Sequence, residues 1–286
     1  MFPSRLGGNR RQLRNTAFKQ RDQPMSRVSV EIKDHIAHVT LTRGDKMNAV
    51  DMEMAEAIVS AGEQLKEDAN IRAVILSGEG RAFCAGLDVA NFAAFAAQDH
   101  YALVMPRTHG EANLFQEVSL VWRKIPVPVI AALHGTVFGA GFQLALGADM
   151  RFCHPDTQLA VMEMKWGLVP DMGGMILLPH LVRSDVMRRL IYTNEVISAE
   201  QALDIGVVTE LADNPFEAGL CMAQKIAGKS PSAIRAAKRL IGFAESGAEA
   251  ADVLLEESRE QTALIGNADQ REQIAANLQK RAPNFE

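Results

Sequence analysis

The sequence predicts an α/β core followed by a region built only of helices. Up to about residue 211, short apolar segments with the alternation of strands are interleaved with segments of helical periodicity. From about Pro215 to the end, the apolar residues recur almost wholly at helical spacing. With 286 residues, 48% of them hydrophobic, the chain is long enough to bury a substantial core.

The first elements form a β-β-α-β series. Residues 28–32 and 39–41 alternate as strands do, and Lys33-Asp34 between them predicts a hairpin turn. Apolar residues at helical spacing from Val50 to Leu65 predict a helix. Residues 73–76 then read as a short buried strand, so that one unit of an α/β core is complete.

The middle of the chain continues this alternation. Residues 92–110 are alanine-rich and then broken by Pro106, which indicates a loop or a mobile helix. Apolar residues from Leu114 to Ile125 predict the next helix. Residues 129–133 predict a strand with prolines only at its entrance, where a missing N–H is tolerated.

Shorter elements follow, marked by glycine and by capping residues. Residues 142–146 predict a helix that starts after Gly141, and residues 151–153 and 158–160 predict short strands. Ser198-x-x-Gln201 is a capping box, whose helix Gly206 ends.

The helical region shows the same kind of start signal. Ser230-Pro231 predicts another helix start, with proline at the first helical position.

Three segments are expected: a disordered basic extension over residues 1–25, the α/β core over 26–211 and the helical region over 212–286. The first 24 residues hold six arginines and lysines against one aspartate, without the apolar stretch of a secretory signal. A natural start at Met25 in a cytoplasmic protein is favoured. An organellar transit peptide, which would place the protein in an organelle matrix, is the alternative.

Composition excludes several classes of function. The net charge of −5 gives no support for nucleic-acid binding, and no apolar run is long enough to span a membrane. Three cysteines lack metal-ligand spacing, which indicates reduced thiols, and we expect neither a metal nor a redox cofactor. Cys84 is interpreted as a small buried hydrophobe rather than a nucleophile.

Two glycine-centred segments are the most informative part of the chain. They are RAFCAGLD at residues 81–88 and HGTVFGAGFQLALGAD at residues 134–149. Glycine permits turns in which backbone N–H groups face a ligand oxygen, and a following helix adds positive dipole. Leu144 breaks the dinucleotide-binding pattern, and neither a phosphate-binding loop nor a nucleophile elbow occurs. Two tight turns without function remain the alternative at this point.

These residues resemble the crotonase (enoyl-CoA hydratase/isomerase) superfamily. The family's two loops match Phe83-Cys84-Ala85-Gly86-Leu87-Asp88 and the segment from His134-Gly135 to Gly139-Ala140-Gly141. The resemblance extends from about Ser26 to Phe285. It implies a spiral of ββα units with a C-terminal helical region that mediates trimers, commonly stacked as hexamers.

The resemblance also implies a site for a coenzyme A thioester, which is the substrate and not a cofactor. The N–H groups of Leu87 and Ala140 would form the oxyanion hole for the thioester carbonyl. Lys280 matches a lysine that, in relatives, approaches a CoA phosphate across a subunit interface. A solvated lysine at a helix end is the alternative for Lys280.

The acidic residues bear on the reaction. Hydratases of this family hold a water between two glutamates, and in this chain those positions are Gln143 and Glu163. Glutamine cannot take a proton, so the hydratase pair is incomplete. Dienoyl-CoA isomerases of the family have acids at the positions of Glu163 and Asp171, and usually an aspartate where this chain has Gln143. Two of three acids thus match the isomerase, against one of two for the hydratase. We therefore expect these two as catalytic residues, although Asp171 could instead be a turn residue after Pro170.

Other candidate substrate-binding residues surround the acids and the loops. Gln143 is expected to orient the substrate or one carboxylate. The remaining candidates are Met162, Trp166, Ala85 and Asp88, although Asp88 is expected mainly to brace its loop. His134 is interpreted as structural.

The sequence thus favours an acyl-CoA enzyme that moves a double bond in a dienoyl-CoA during fatty-acid oxidation. The alternatives are an enoyl-CoA hydratase and, because of Gln143, an acyl-CoA-binding protein without turnover. The expected assembly is a homotrimer or a hexamer, without a nucleic-acid or membrane partner.

Overall fold

The computed structural model describes residues 27–285, apart from residues 89, 91–96 and 98. The basic extension predicted for residues 1–25 lies outside the described residues. Part of the segment 92–110 does so too, and the described part of that segment contains a short helix that ends before Pro106.

The described strands form two sheets. They are β1 (Val28–Lys33), β2 (Ile36–Leu41), β3 (Ala73–Gly78), β4 (Val129–Leu133), β5 (Thr136–Phe138), β6 (Met150–Cys153), β7 (Gln158–Ala160), β8 (Ile197–Ser198) and β9 (Glu210–Leu211). The larger sheet has the order β1-β2-β3-β4-β6-β9, and the smaller has the order β5-β7-β8. In the larger sheet, β1 and β2 are antiparallel and the later neighbours are parallel.

Helices supply the crossovers that parallel strands require. They are α1 (Met52–Glu67), α2 (His100–Val104), α3 (Leu114–Lys124), α4 (Ala140–Leu146), α5 (Gly174–Leu177), α6 (Ser184–Thr193), α7 (Ala199–Asp204), α8 (Pro215–Ala227), α9 (Pro231–Glu245), α10 (Ala250–Leu264) and α11 (Ala268–Gln279). One of the described 3-10 turns spans Glu163–Trp166. The predicted order of an α/β core followed by helices is confirmed.

The core lies on both faces of the larger sheet. Successive residues of a strand point to opposite faces, so Val74 and Leu76 of β3 join the cluster formed with α1, α3 and α4. Ala73 and Ile75 pack instead towards α8. Because both faces are covered, β3 is a continuous apolar run, as the sequence predicted.

The hairpin turn lies one residue later than predicted. Lys33 still pairs with Ile36 in the ladder, and the turn residues are Asp34 and His35, with φ of 50° and 65°. The prediction of Lys33-Asp34 was wrong because the ladder fixes the register, pairing the buried Val28 with Leu41. Two positive φ angles suit the twist of the flanking strands.

The predicted helix signals are confirmed. The Ser198 hydroxyl accepts from the Gln201 N–H at 3.2 Å, and the Gln201 side chain accepts from the Ser198 N–H at 2.9 Å. Gly206 follows α7 with φ of 88°. Ser230 caps α9, with Pro231 at its first position.

The helical region begins at α8, which packs on β3 and β4, while α9 packs against α10. The boundary placed at residue 211 stays a prediction. Among the described residues, no helix is both long enough and apolar enough to cross a membrane.

Candidate active site

The two glycine segments meet backbone to backbone. The Cys84 N–H donates to the Thr136 carbonyl at 3.2 Å, and the Phe138 N–H donates to the Cys84 carbonyl at 3.1 Å. A Cβ on Gly141 would lie 2.3 Å from the Cys84 carbonyl oxygen. A Cβ on Gly86, where φ is +104°, would lie 3.0 Å from the Phe138 carbonyl oxygen. Glycine is therefore required at both positions so that the two loops can approach this closely.

In the first loop, the Leu87 N–H faces away from Val50, the residue with which this loop pairs. The Val50 N–H donates to the Gly86 carbonyl at 2.8 Å, and the Asp88 N–H donates to the Val50 carbonyl at 2.9 Å. Val50 thus bonds to both neighbours of Leu87, as in a parallel bridge. The Leu87 N–H consequently points to the opposite side, where the described residues offer it no acceptor.

The second loop supplies the Ala140 N–H. The helix α4 begins at Ala140, and Gly139 precedes it with φ of 49°. The prediction that this helix starts at residue 142 was wrong, because glycine at 139 permits the turn and lets the helix begin earlier. The first N–H groups of a helix lack partners within it, so the Ala140 N–H is available at the positive end of the α4 dipole.

Leu87 and Ala140 line one recess together with Glu163. Its cavity volume is about 170 Å³. Of the other predicted residues, Ala85, Met162 and Trp166 also line it, and Trp166 is half exposed at the mouth. The two candidate oxyanion donors and one candidate catalytic carboxylate are therefore brought together in one place.

Gln143 does not line this recess, since its buried side chain lies behind Glu163. Gln143 Nε2 donates to Glu163 Oε1 at 2.6 Å. Gln143 Oε1 accepts from the backbone N–H groups of Met172 at 2.9 Å and Gly174 at 3.0 Å. The expectation that Gln143 orients a carboxylate agrees with this geometry. Contact between Gln143 and substrate stays a prediction.

Glu163 is buried, and its two oxygens differ. Oε1 accepts from Gln143, whereas Oε2 is buried without a hydrogen-bond partner among the described residues. Burial raises the pKa of the carboxyl, the hydrogen bonds from the backbone and from Gln143 oppose that rise, and the charge of Asp171 adds to it. An unpartnered carboxylate oxygen with a raised pKa is suited to accept a proton.

Asp171 lies in a neighbouring recess. That recess is lined by the segment 107–112, by one face of α3 that includes Gln116 and Lys124, and by the segment 170–176, which includes Met175. Partial desolvation raises the pKa of Asp171, although the residue is exposed in the single chain, so solvent moderates that rise. Asp171 and Glu163 are close enough for their charges to interact, but they do not share one recess.

Asp88 braces its loop through an arginine that the sequence did not reveal. Arg43 Nη2 lies 2.8 Å from Asp88 Oδ2, and Arg43 also contacts Asp51 at 3.3 Å. Partial burial opposes ionisation of Asp88, but the hydrogen bond from Arg43 holds its pKa below the usual range. Contact of Asp88 with substrate stays a prediction.

Two other residues near the loops have structural surroundings. Cys84 is fully buried, burial raises the pKa of its thiol to about 12, and Sγ donates to the Asn48 carbonyl at 3.1 Å. Such a thiol is not an available nucleophile. His134 Nε2 lies 3.1 Å from the Gly80 carbonyl oxygen, which agrees with its structural interpretation.

Lys280 does not line the recess of the single chain. It follows α11, with φ of 54°, and its side chain is exposed. The predicted contact with CoA from a second subunit stays a prediction.

Sequence reasoning missed three residues of the recess, Phe138, Lys165 and Leu168. Each adjoins a motif that was recognised, so proximity to Gly139, to Glu163 or to Gly167 was the signal that could have found them. Arg43 had no such signal, because it meets Asp88 only through the fold.

The family model for enoyl-CoA hydratase/isomerase matches residues 31–286. The chain belongs to this family. It is 30% identical over 264 residues to a probable enoyl-CoA hydratase of Bacillus subtilis, an alignment that covers 91% of this chain and 99% of the relative. It is 32% identical over 211 residues to the human mitochondrial Δ(3,5)-Δ(2,4)-dienoyl-CoA isomerase, covering 71% of this chain and 64% of the relative.

A solved structure of enoyl-CoA hydratase from Mycobacterium tuberculosis is similar with a TM-score of 0.80. The sequence identity is 30%, and the match covers 91% of this chain and 99% of that chain. This likeness confirms the crotonase-type fold. As a member of the enoyl-CoA hydratase/isomerase family, the protein is an acyl-CoA enzyme, and relatives of both hydratase and isomerase type are similar to it.

Proposed function

We propose that the protein moves a double bond in a dienoyl-CoA, with Glu163 and Asp171 exchanging protons with the acyl chain. The observation that supports this choice is the contact between Gln143 and Glu163. Where a hydratase of the family would place a second carboxylate to hold water, this chain has an amide that donates to Glu163 Oε1 at 2.6 Å. An amide cannot take up a proton, so it cannot replace a catalytic carboxylate.

The oxyanion donors define which carbon lies near Glu163. A thioester carbonyl that accepts from the Leu87 and Ala140 N–H groups places C2, the carbon next to the carbonyl, in the recess that Glu163 lines. Loss of a proton from C2 makes an enolate whose negative charge these two N–H groups stabilise. We therefore assign Glu163 Oε2 as the base for the C2 proton.

Asp171 is assigned the return of a proton to the distal end of the diene. For a 3,5-dienoyl-CoA, C2 loses a proton and C6 gains one, so the double bonds shift to positions 2 and 4 and the atoms balance. Gln143 donates to Glu163, which favours its ionised form. Among the described residues, no side chain donates a hydrogen bond that would lower the pKa of Asp171. Partial burial therefore favours its protonated form.

The pH dependence follows from these roles. Turnover should fall as the pH drops through the raised pKa of Glu163, because the base becomes protonated. It should also fall as the pH rises through the raised pKa of Asp171, because the acid loses its proton. A bell-shaped profile of kcat against pH is expected for 3,5-dienoyl-CoA.

The test follows two chromophores with purified protein. With a 3,5-dienoyl-CoA, the conjugated 2,4-dienoyl band should grow. The Asp171→Asn variant should lose this activity about 10²- to 10⁴-fold, because the amide cannot return a proton. Asp156→Asn is the matched control, since its side chain is 93% exposed and it does not line either recess.

Hydration of 2-enoyl-CoA is the second candidate, because the unpartnered Glu163 Oε2 could also hold a water. Loss of the crotonyl-CoA absorbance, with no change in the absorbance of a 3,5-dienoyl-CoA, would contradict the proposed isomerisation and indicate a hydratase. Binding of both CoA esters without turnover would instead indicate an acyl-CoA-binding protein.

A further inference from the structure

The Gln143 side chain makes three hydrogen bonds among the described residues, and all three are to the protein. The side chain is 1% exposed, donates once to Glu163 Oε1 and accepts twice, from the Met172 and Gly174 N–H groups. Backbone N–H groups only donate, so the amide oxygen must face them and the amide nitrogen must face Glu163. A carboxylate could accept from the turn but could not donate to Glu163, and an ammonium could do only the reverse. An amide therefore fits this arrangement at any pH, whereas a carboxyl group would need a bound proton to bridge to Glu163.

One consequence concerns the reactive atom of Glu163. Because Oε1 is held by Gln143, Oε2 is left as the free oxygen among the described residues. The carboxylate is consequently fixed in one orientation in the recess, rather than rotating between equivalent positions. This orientation is a precondition for proton transfer at one carbon of the substrate.

A second consequence concerns the turn that follows Asp171. Met172 is the next residue, Gly173 has φ of 88°, and a Cβ on Gly174 would lie 2.8 Å from Gln143 Oε1. The turn is thus packed directly onto the amide. The same side chain that orients Glu163 also holds the backbone that carries Asp171.

We infer that Gln143 is a positioning residue that gives the two acids their separate roles. It holds Glu163 as the base with one free oxygen, and it fixes the position of Asp171 through the turn at residues 172–174. This inference rests on the catalytic role proposed for Glu163. It assigns Gln143 no direct contact with the reacting atoms.

The decisive variant is Gln143→Glu, which is nearly isosteric. Its carboxylate can still accept from Met172 and Gly174, but its second oxygen would face Glu163 Oε1, and only a bound proton could bridge those two oxygens. The two carboxylates would then share one proton, so Glu163 would ionise at higher pH. We expect kcat to fall about 10- to 100-fold with KM nearly unchanged, and the acid limb of the pH profile to move to higher pH.

Other charged groups lie near Glu163 and could also affect its pKa. Asp171 acts on Glu163 through its charge, and Lys165 lines the same recess. The helix α6 packs on the 3-10 turn that contains Glu163, and its Arg189 pairs with Glu195 at 2.7 Å. None of these groups is substituted in the variant. A shift of the low-pH side of the kcat profile can therefore be attributed to residue 143.

The matched control is Gln201→Glu, an exposed glutamine of the capping box that starts α7, where glutamate is equally suited. It should leave kcat and the pH profile unchanged. At a pH where the carboxyl pair keeps its shared proton, Gln143→Glu should still unfold in one cooperative thermal transition, and Gln201→Glu should unfold like the unaltered protein, which separates a positioning effect from loss of the fold.

A readout without turnover makes the test independent of the reaction. The ¹³C resonance of the Glu163 carboxyl, assigned by its absence in Glu163→Gln, should titrate at higher pH in Gln143→Glu than in the unaltered protein. Equal titration in both proteins would overturn the role of Gln143. Failure of the unaltered protein to isomerise a 3,5-dienoyl-CoA would overturn the proposed function alone.

Discussion

The recess between the glycine loops and the helical region at the C-terminus differ in how completely one chain builds them. In the recess, Ala140 and Glu163 are buried, and the backbone of the loops that carry them is hydrogen-bonded within the chain. The helix α10, by contrast, buries none of its side chains in the described structure, and its Leu254 is 61% exposed. Leu278 of α11 is 80% exposed.

We expect from this difference that the recess serves turnover and the helical region serves assembly. A contiguous apolar surface on helices is costly unless something covers it, and a second copy of the chain is the partner that the predicted trimer would supply. The polar groups around Glu163 are held within one chain, and a contribution of Lys280 from a second subunit stays a prediction. Changes in the recess should therefore alter turnover, and changes in the helices should alter assembly.

The largest effect is expected from Glu163→Gln. Removal of the base should lower kcat about 10²- to 10⁴-fold in the dienoyl-CoA assay. Because burial raises the folded pKa of Glu163, its ionised form destabilises the fold increasingly as the pH rises through that pKa. The glutamine variant should therefore unfold at a higher temperature than the unaltered protein above that pH. Lower stability there would contradict the electrostatic account.

A comparable but smaller loss is expected from Gly141→Ala. The added Cβ would meet the Cys84 carbonyl at 2.3 Å, so the two loops must move apart and the oxyanion donors lose their alignment. Loss of one donor corresponds to about 10²- to 10³-fold in kcat.

The matched control for this change is Gly242→Ala in α9, where a Cβ meets nothing within 4 Å. It should leave kcat unchanged and stabilise the helix by up to about 1 kcal/mol. Equal losses of kcat in the two variants would remove the distinction between the regions.

The third change alters the predicted subunit contact and leaves the residues of the recess unaltered. The double variant Leu254→Asp, Leu255→Asp places charges on the exposed apolar side of α10 and should shift sedimentation from the predicted oligomer towards the single chain. Gln224→Glu, an exposed residue of α8, adds a charge elsewhere and should not. An unaltered sedimentation profile of the double variant would show that this surface is not the subunit contact.

The smallest effect is expected from Lys280→Ala. If a neighbouring subunit brings this exposed lysine to a CoA phosphate, its removal should raise KM about fivefold, equivalent to about 1 kcal/mol, at unchanged kcat. The effect should shrink at high salt. An identical KM in both proteins at low salt would limit Lys280 to a helix-end role.

Some features could be predicted from local sequence because local forces fix them. The apolar run of β3, the capping box at Ser198 and the proline start of α9 are each formed by residues only a few positions apart. The hairpin turn was misplaced by one residue because the ladder, not the turn residues, set the register. The start of α4 was predicted two residues too late, because Gly139 with its φ of 49° makes the turn that lets the helix begin at Ala140.

The sequence by itself determined the family and the two glycine loops, and it offered Glu163 and Asp171 as candidate acids, because these are matters of residue type and spacing. Only the tertiary structure decided that Gln143 joins Glu163 to the turn after Asp171, and that the two acids line different recesses. An amide can donate or accept in many directions. Its partners are chosen by the packing of segments that are distant in the chain, and no local pattern records that choice.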